Sequence, residues 1–220
     1  MNDIYLDIET IPCQSEAYRD EVRQSITAPG QYKNPDSIAK WLEENREAAA
    51  QEAIAKTSFD PARGHICTIG FAIGNSDVKV AHAESVEGEG LVIETFFAAL
   101  HDMGLNRFIG HYITGFDLRF ILCRAVVLGI KLPPKVAFPR DTKPWGDETF
   151  DTMTAWAGAR DKISMDALCR ALGIDGKTGF DGSMVAEAWA NGEHSKIADY
   201  CRRDVEAVRA IHQRFEQVCF

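Results

Sequence analysis

Two acidic side chains lie in the middle of an apolar stretch near the start of the chain, "MNDIYLDIETIPC". Apolar residues at positions 4, 6 and 8 alternate with Asp7 and Glu9, which predicts a β-strand over residues 3–9. Successive side chains of a strand point to opposite faces, so both carboxylates are predicted to share one face. The pair is either incidental or part of a charged site, and the other acids of the chain decide between these interpretations.

Two further acids extend the pattern. Asp117 follows a predicted strand in "GHYITGFDLRF", where Thr114 and Asp117 also have the spacing of a helix capping box. Asp204 lies in the last predicted helix, at about 60° from Cys201 when each residue turns about 100°, and Tyr200 lies one turn earlier on the same side. Cys201 belongs to an apolar stripe at helical spacing, so Asp204 flanks a buried face. An acid in this position is destabilising unless a cationic partner meets it.

Composition and charge limit the classes of protein. The chain has 220 residues, 45% of them hydrophobic and 26% charged, and is expected to form a single domain over residues 1–220. We expect a cytoplasmic protein without a membrane partner, because the sequence has neither a membrane-spanning apolar run nor a signal peptide. Its 6 cysteines form no C-x-x-C pair and are expected to be reduced thiols. A net charge of −9 argues against sequence-independent adhesion to nucleic acid but is compatible with an acidic metal site.

The periodicity of the sequence alternates between strands and helices. Strands are predicted over residues 3–9, 65–74, 77–83 and 107–111, and helices over residues 88–104, 115–130, 164–173 and 195–215. "TFDTM" leads into a further helix, whereas the Pro-rich residues 131–147 and the glycine-rich residues after Gly173 are predicted loops. The order of elements predicts an α/β fold with one mixed sheet.

An insertion at residues 13–64, approximately, separates the first two predicted strands, where connections usually have about 4 to 6 residues. Residues 36–58 predict an amphipathic helix with Ile38, Trp41 and Leu42 on one face. We expect this helix to pack on the outside of the sheet. The alternative is a lid or clamp beside the end of the first strand.

Taken together, the segments "IYLDIET", "GHYITGFD" and "YCRRD" resemble the DEDD superfamily of 3′-to-5′ exonucleases. The chain is most similar to the tyrosine branch, and within it to stand-alone exonucleases related to the proofreading domain of family B DNA polymerases. "FDTM" and "ALCRALGIDGKTGFDGSMV" resemble the same family, so the resemblance covers nearly the whole chain. It implies a ribonuclease H-like fold with helices flanking a mixed central sheet.

The resemblance also implies a mechanism and a substrate. Asp7, Glu9, Asp117 and Asp204 would bind two Mg²⁺ or Mn²⁺ ions, hard cations that prefer oxygen ligands. Asp7 would bridge both ions, Glu9 and Asp204 would complete one, and Asp117 would hold the other through water. Tyr200 would orient the attacking water. The expected reaction removes nucleoside 5′-monophosphates from the 3′ end of single-stranded DNA by in-line displacement.

Substrate contacts are expected at Thr10, Tyr112, Phe116 and Lys177. Related exonucleases usually have Asn where this chain has Tyr112, and that Asn is associated with substrate placement. Tyr112 is interpreted either as a residue that stacks on a base or as a core tyrosine.

"HSKIAD" offers a competing assignment, because His194 and Asp199 have the spacing of the superfamily's histidine branch. Asp199 lies about 160° from Cys201 around the helix and is predicted to point to solvent, whereas Asp204 flanks the buried stripe. His194 is predicted to lie in a loop before the helix. Helical phase therefore favours Tyr200.

Three other functions compete with that of a DNA exonuclease. "ALGIDGKT" imitates the end of a phosphate-binding P-loop, but Ala171 stands at the first glycine position and the segment follows a helix, which argues against an ATPase. A 3′-to-5′ exoribonuclease stays open, because a metal site does not distinguish DNA from RNA. A catalytically inactive nucleic-acid-binding module is disfavoured because all the acids are present.

Overall fold

The computed structural model describes residues 1–101, 103–143, 146–158, 160–175 and 179–218. Within these residues, the strands are β1 (Asn2–Ile11), β2 (His65–Ile73), β3 (Lys79–His82), β4 (Asn106–Gly110) and β5 (Thr149–Asp151). They form one sheet in the order β3-β2-β1-β4-β5. β1 is antiparallel to β2 and parallel to β4, so this strand lies in the centre of a mixed sheet.

Helices cover both faces of the sheet. The α-helices are α1 (Glu16–Ser25), α2 (Pro35–Ala55), α3 (Glu89–Ala99), α4 (Asp117–Leu128), α5 (Thr152–Ala157), α6 (Met165–Leu172), α7 (Val185–Ala190) and α8 (His194–Val218). Short 3₁₀ turns lie at Lys56–Phe59, Val86–Gly88 and Gly182–Met184. The sequence predicted α3, α4, α6 and α8, and it missed α1, α7 and strand β5, each of which is short or polar.

The alternation predicted for the first strand is confirmed. Ile4, Leu6 and Ile8 are buried in the main apolar cluster, together with aromatic residues of α3 and α4. On the opposite face, Tyr5 packs with Val205 of α8. The odd-numbered residues of β1 therefore face α8, and this places Asp7 and Glu9 between the sheet and that helix.

The insertion does not fold as expected. We expected its helix to pack on the outside of the sheet, and this is wrong: α2 packs mainly against α1. In the loop between the two helices, the ring of Tyr32 contacts that of Trp41 in α2. α2 is too polar to cover a sheet, since its only buried residues among those described are Ala50 and Ile54.

The end of the insertion is attached to the end of β1. The Thr57 hydroxyl accepts a hydrogen bond from the amide of Cys13 at 2.8 Å. The Thr10 hydroxyl donates to the carbonyl of Ser58, also at 2.8 Å. The last turn of the insertion is therefore fixed beside the strand that carries Glu9.

A buried ion pair connects the insertion to α3 and α4. Arg124 of α4 donates to both carboxylate oxygens of Glu89, each at 2.7 Å, and to the carbonyl of Pro61 at 3.1 Å. Burial would raise the pKa of Glu89, but hydrogen bonds from His65 and Arg124 outweigh it and hold that pKa below its ordinary value. This pair stabilises the junction at which the chain enters β2.

No helix among the described residues is both long and apolar enough to cross a membrane. The described cysteines, Cys13, Cys67, Cys123, Cys169 and Cys201, are free thiols.

Candidate active site

Asp7 and Glu9 lie in the centre of the sheet and face α8. In the pairing of β1 with β2, Asp7 is opposite Gly70 and Glu9 is opposite Thr68. One ligand atom each from Asp7, Glu9 and Cys201 lie within 4.8 Å of one another. The structure thus brings the two acids of the first strand together, as the period of the strand predicts.

Gly70 allows α8 to approach the sheet at this point. A Cβ atom at Gly70 would lie 2.8 Å from Cys201 Sγ and 3.0 Å from Val205 Cγ2, closer than ordinary contact. A larger residue would therefore push α8 away from Asp7. The Cys201 thiol contacts the backbone of the neighbouring strand β1, with Sγ 3.4 Å from the carbonyl oxygen of Asp7.

α8 places Asp204 and Tyr200 at the acid cluster. Both are buried, at 7% and 4% exposure, whereas Asp199 on the same helix is exposed. The helical phase derived from the apolar stripe is confirmed by these values. His194 is the first residue of α8 rather than part of a loop, so the prediction of its position is wrong by one residue, and its ring packs edge-on against Trp189 at 4.7 Å.

Asp117 is the first residue of α4 and is buried. Its carboxylate accepts a hydrogen bond at 3.1 Å from the amide of Ile8, the residue between Asp7 and Glu9. The capping-box interpretation of Thr114 and Asp117 is wrong. Phe116 occupies the N-cap position, and the Thr114 hydroxyl donates to Asp151 instead.

Burial and mutual repulsion destabilise the ionised form of the acid cluster. Burial raises the pKa of Asp7 well above its ordinary value, and the negative charges of Glu9, Asp204 and Asp117 raise it further. Burial also raises the pKa of Asp117 to about 7, against the lowering effect of backbone hydrogen bonds. Such a cluster favours either protons or cations.

The hydroxyl of Tyr200 lies close to the carboxylates of this cluster. Burial raises the pKa of its hydroxyl far above the ordinary value, and the carboxylates of Asp204, Glu9 and Asp7 raise it further. Its ring packs edge-on against Phe180 at 5.1 Å. The phenol therefore stays protonated and acts as a hydrogen-bond donor at the acid cluster.

The acid cluster fits a divalent cation. The buried oxygen Oδ2 of Asp7 has no hydrogen-bond partner among the described residues. Carboxylate oxygens are the preferred ligands of Mg²⁺ and Mn²⁺, and a soft thiol such as Cys201 is not. Asp7, Glu9, Asp117 and Asp204 could together hold such ions.

The predicted substrate contacts have different positions. Thr10 is half-buried and uses its hydroxyl to hold Ser58. Phe116 is half-buried beside Asp117, with Phe59 of the insertion at 6.2 Å between ring centroids. Tyr112 is 39% exposed, so its interpretation as a core tyrosine is wrong. Lys177 lies outside the described residues.

The sequence did not reveal several residues that shape this site. Asp151 ends β5 and accepts hydrogen bonds from the loop that precedes α4, whereas the sequence indicates "TFDTM" only as the lead into a helix and as part of a resemblance. Cys201 was assigned to the apolar stripe, and its closeness to Asp7 was not anticipated. Phe59 is 72% exposed beside Phe116, and no pattern in the sequence indicates this position.

A mixed sheet with this strand order, covered by helices on both faces and carrying an acid cluster on its central strand, is a ribonuclease H-like α/β fold. In agreement, the chain is similar in structure to the family B DNA polymerase from the hyperthermophilic archaeon Pyrobaculum calidifontis, with a TM-score of 0.62 and 14% sequence identity. The similarity covers 97% of this chain and 24% of the polymerase, so the chain spans about a quarter of that protein's length.

The sequence comparison identifies the family. Residues 62–218 match the family described as "Predicted 3'-5' exonuclease related to the exonuclease domain of PolB", and the chain belongs to this family. The matched residues include Asp117, Tyr200 and Asp204 but begin after Asp7 and Glu9. A comparison with curated proteins gives no match.

Proposed function

We propose that the protein is a metal-dependent exonuclease of the tyrosine DEDD type, which hydrolyses single-stranded DNA from its 3′ end to nucleoside 5′-monophosphates. One observation carries the proposal: Asp7, Glu9, Asp117 and Asp204 converge from β1, α4 and α8. The other three acids lie close enough to Asp7 to raise its pKa. Membership of a family of predicted 3′-5′ exonucleases supports this reaction class.

We assign the four acids as ligands of two Mg²⁺ or Mn²⁺ ions. Bound there, the ions would neutralise the cluster, lower the pKa of the attacking water and stabilise the charge that develops on the phosphate. Asp7 supplies an oxygen that has no hydrogen-bond partner in the described part of the chain, and the amide of Ile8 holds Asp117 in place.

Tyr200 is assigned as the residue that orients the attacking water. Its phenol is protonated and close to Asp204, so it can donate a hydrogen bond but is a poor proton acceptor. This role requires no change in its protonation during the reaction. The assignment differs from the histidine branch, in which an imidazole would take up the proton.

We further propose that residues 1–220 act as one exonuclease domain in the cytoplasm, and that DNA is preferred over RNA as the substrate. The thiols of the described cysteines are consistent with a reducing compartment. The family relationship to a DNA polymerase domain is the ground for preferring DNA.

The test compares 5′-labelled and 3′-labelled single-stranded DNA and RNA oligonucleotides with Mg²⁺, Mn²⁺ or EDTA. We expect the 5′ label to appear in progressively shorter products and the 3′ label to appear at once as a mononucleotide. Cleavage of a circular single strand, or equal activity in EDTA, would contradict the proposal. A preference for the RNA oligonucleotide would assign the enzyme to exoribonucleases.

A matched pair of variants on α8 tests the site itself. Asp204→Asn removes a buried charge of the cluster, whereas Asp199→Asn makes the same change on the exposed side of the helix. We expect Asp204→Asn to lower kcat by several decades and Asp199→Asn to be close to the wild type, since only the first removes a metal ligand. Equal activity of the two variants would exclude Asp204 from the site.

A further inference from the structure

A second group of side chains that can bind metal lies near the start of β1, away from the acid cluster. Asp3, His212 and Glu216 each have one ligand atom, and these atoms all lie within 4.8 Å of one another. Asp3 precedes Asp7 by four residues, which is about 13 Å along the strand. His212 follows Asp204 by eight residues, which is about 12 Å along the helix. The two groups are therefore too far apart to share a metal ion.

The imidazole of His212 has an unused nitrogen that points into this group. The side chain is 0% exposed, and Nε2 has no hydrogen-bond partner among the described residues. The nearest carboxylate oxygen in an ion pair with it is Glu216 Oε1 at 3.7 Å, which is too far for a hydrogen bond. Buried polar atoms without a partner are rare in folded proteins. His212 is thus positioned to bind a ligand from outside the chain.

The spacing of these atoms suits a shared metal ion. Zn²⁺ binds nitrogen and oxygen ligands at about 2.0–2.2 Å, so two ligands of one tetrahedral ion lie roughly 3.4 Å apart. The separation between His212 Nε2 and Glu216 Oε1 exceeds this value by only about 0.3 Å. The side chain of Glu216 is 43% exposed, so it can adjust its position and an ion can enter from solvent.

Tyr5 orients the imidazole through its other nitrogen. The Tyr5 hydroxyl lies 3.2 Å from His212 Nδ1, and the two rings pack edge-on at 5.7 Å between centroids. When Nδ1–H donates to this hydroxyl, the lone pair of the neutral imidazole lies on Nε2, toward the acids. Histidines that bind metals are usually fixed by such a partner. Burial also lowers the pKa of His212, which favours the neutral form.

Arg107 fixes the two carboxylates from the neighbouring strand β4. Its Nε and Nη2 atoms donate to the two carboxylate oxygens of Asp3, both at 2.9 Å, and Nη2 also donates to Glu216 Oε1 at 3.3 Å. Each carboxylate oxygen has a further lone pair, so these bonds leave acceptor positions for an ion. Two carboxylates outnumber one guanidinium, and the group therefore retains a net negative charge that attracts a cation.

We propose that Asp3, His212 and Glu216 form a second metal site, which binds one Zn²⁺ ion and fastens the C-terminal half of α8 to β1. One imidazole nitrogen and two carboxylate oxygens leave the fourth position of a tetrahedral zinc ion to water. Mg²⁺ prefers oxygen ligands alone, and Mn²⁺ binds such a mixed site more weakly than Zn²⁺ does. The two sites are therefore expected to select different ions, with Mg²⁺ or Mn²⁺ at the acid cluster and Zn²⁺ here.

Zinc binding in excess Mg²⁺ tests this site. The full-length protein is freed of metal with EDTA, transferred to a large excess of Mg²⁺ that occupies the acid cluster, and titrated with Zn²⁺ against a fluorescent zinc indicator. We expect the wild type to bind one Zn²⁺ per chain. Glu216→Gln should weaken this binding by at least about 10- to 100-fold, the loss that even an outer partner of a metal ligand causes. Asp199→Asn, which removes an exposed acid from the same helix, is the control and should bind like the wild type.

Tyr5→Phe tests the positioning role of the Tyr5 hydroxyl. The variant keeps the ring and its packing but removes the partner of His212 Nδ1. We expect Zn²⁺ to bind about 10- to 100-fold more weakly, and the rise in Tm on addition of Zn²⁺ in excess Mg²⁺ to be smaller than in the wild type. If the hydroxyl were only structural, the Tm would fall equally with and without Zn²⁺, and Tyr5 would have no part in the site.

Three outcomes would overturn the second metal site. The first is a wild type that binds no Zn²⁺ in excess Mg²⁺, and the second is Glu216→Gln binding Zn²⁺ as tightly as the wild type. The third is Zn²⁺ binding that is lost in Asp7→Asn but kept in Glu216→Gln, which would assign the ion to the acid cluster. The readouts are a Kd and a Tm, so none of these outcomes depends on nuclease activity or decides the exonuclease proposal.

Discussion

Asp117→Asn should remove part of the pH dependence of stability from the metal-free protein, while the raised pKa of Asp7 supplies a further part. The pKa of Asp117 is about 7 in the folded protein, whereas an unfolded aspartate has a pKa of about 3.9. The folded state therefore binds more protons than the unfolded state between these values. The resulting stabilisation is present below about pH 4 and is lost as the pH rises through about 7.

The magnitude follows from the difference in pKa. Three units at about 1.4 kcal/mol each give a total of about 4 kcal/mol, of which about 3 kcal/mol is lost between about pH 5 and about pH 8. For a protein of this size, 1 kcal/mol corresponds to about 2–4 °C, so the wild-type Tm should fall by about 6–12 °C relative to the variant. The asparagine can still accept the hydrogen bond from the amide of Ile8, so the fold is retained.

The assay is thermal unfolding in EDTA across this pH range, for the wild type, Asp117→Asn and the exposed-site control Asp199→Asn. The control should follow the wild type. Adding Mn²⁺ should raise the wild-type Tm more at high pH than at low pH, because a cation binds the ionised cluster. If the difference in Tm between wild type and Asp117→Asn is the same at all pH values, Asp117 does not carry a raised pKa and the electrostatic account of the site is wrong.

Two further predictions concern residues inside and outside the site. Tyr200→Phe should lower kcat at saturating Mn²⁺ by about one to three decades, while His194→Ala stays close to the wild type; the reverse pattern would move the chain to the histidine branch. Arg124→Met should destabilise the protein by about 3–5 kcal/mol in urea unfolding, because it leaves the carboxylate of Glu89 buried without its partner, and Arg124→Met combined with Glu89→Gln should recover part of this loss. A single variant as stable as the wild type would show that the pair contributes nothing.

The parts of the site that follow a simple period were accessible from the sequence. The two-residue period of β1 placed Asp7 and Glu9 on one face, and the helical period of α8 separated Asp204 from Asp199 correctly. Both predictions depend only on geometry within one element, and packing against the apolar core fixes that geometry.

The contacts between distant segments were not accessible in this way. The spacing of Thr114 and Asp117 indicated a local cap, but Asp151 competes for the Thr114 hydroxyl from a neighbouring strand. β5 is only 3 residues long, so its pattern is too short to recognise. The helix of the insertion was recognised, but its partner was misassigned because amphipathicity does not indicate which surface a helix packs against.

The assignment of Asp7 and Glu9 depends on the structure more than that of the other acids, because the family match begins at residue 62. β1 lies between β2 and β4, so its position is fixed from both sides by backbone pairing. Its carboxylates then face α8 at the point where Gly70 permits close approach. The amide of Ile8 joins the same strand to Asp117. A shift of β1 by one residue would turn both acids toward the apolar side chains of α3 and α4. The hydrogen bonds between the strands could not offset the cost of burying two unpaired charges there. The central strand therefore belongs to the same acid cluster as the residues within the family match, and we propose that its two acids bind metal ions together with Asp117 and Asp204.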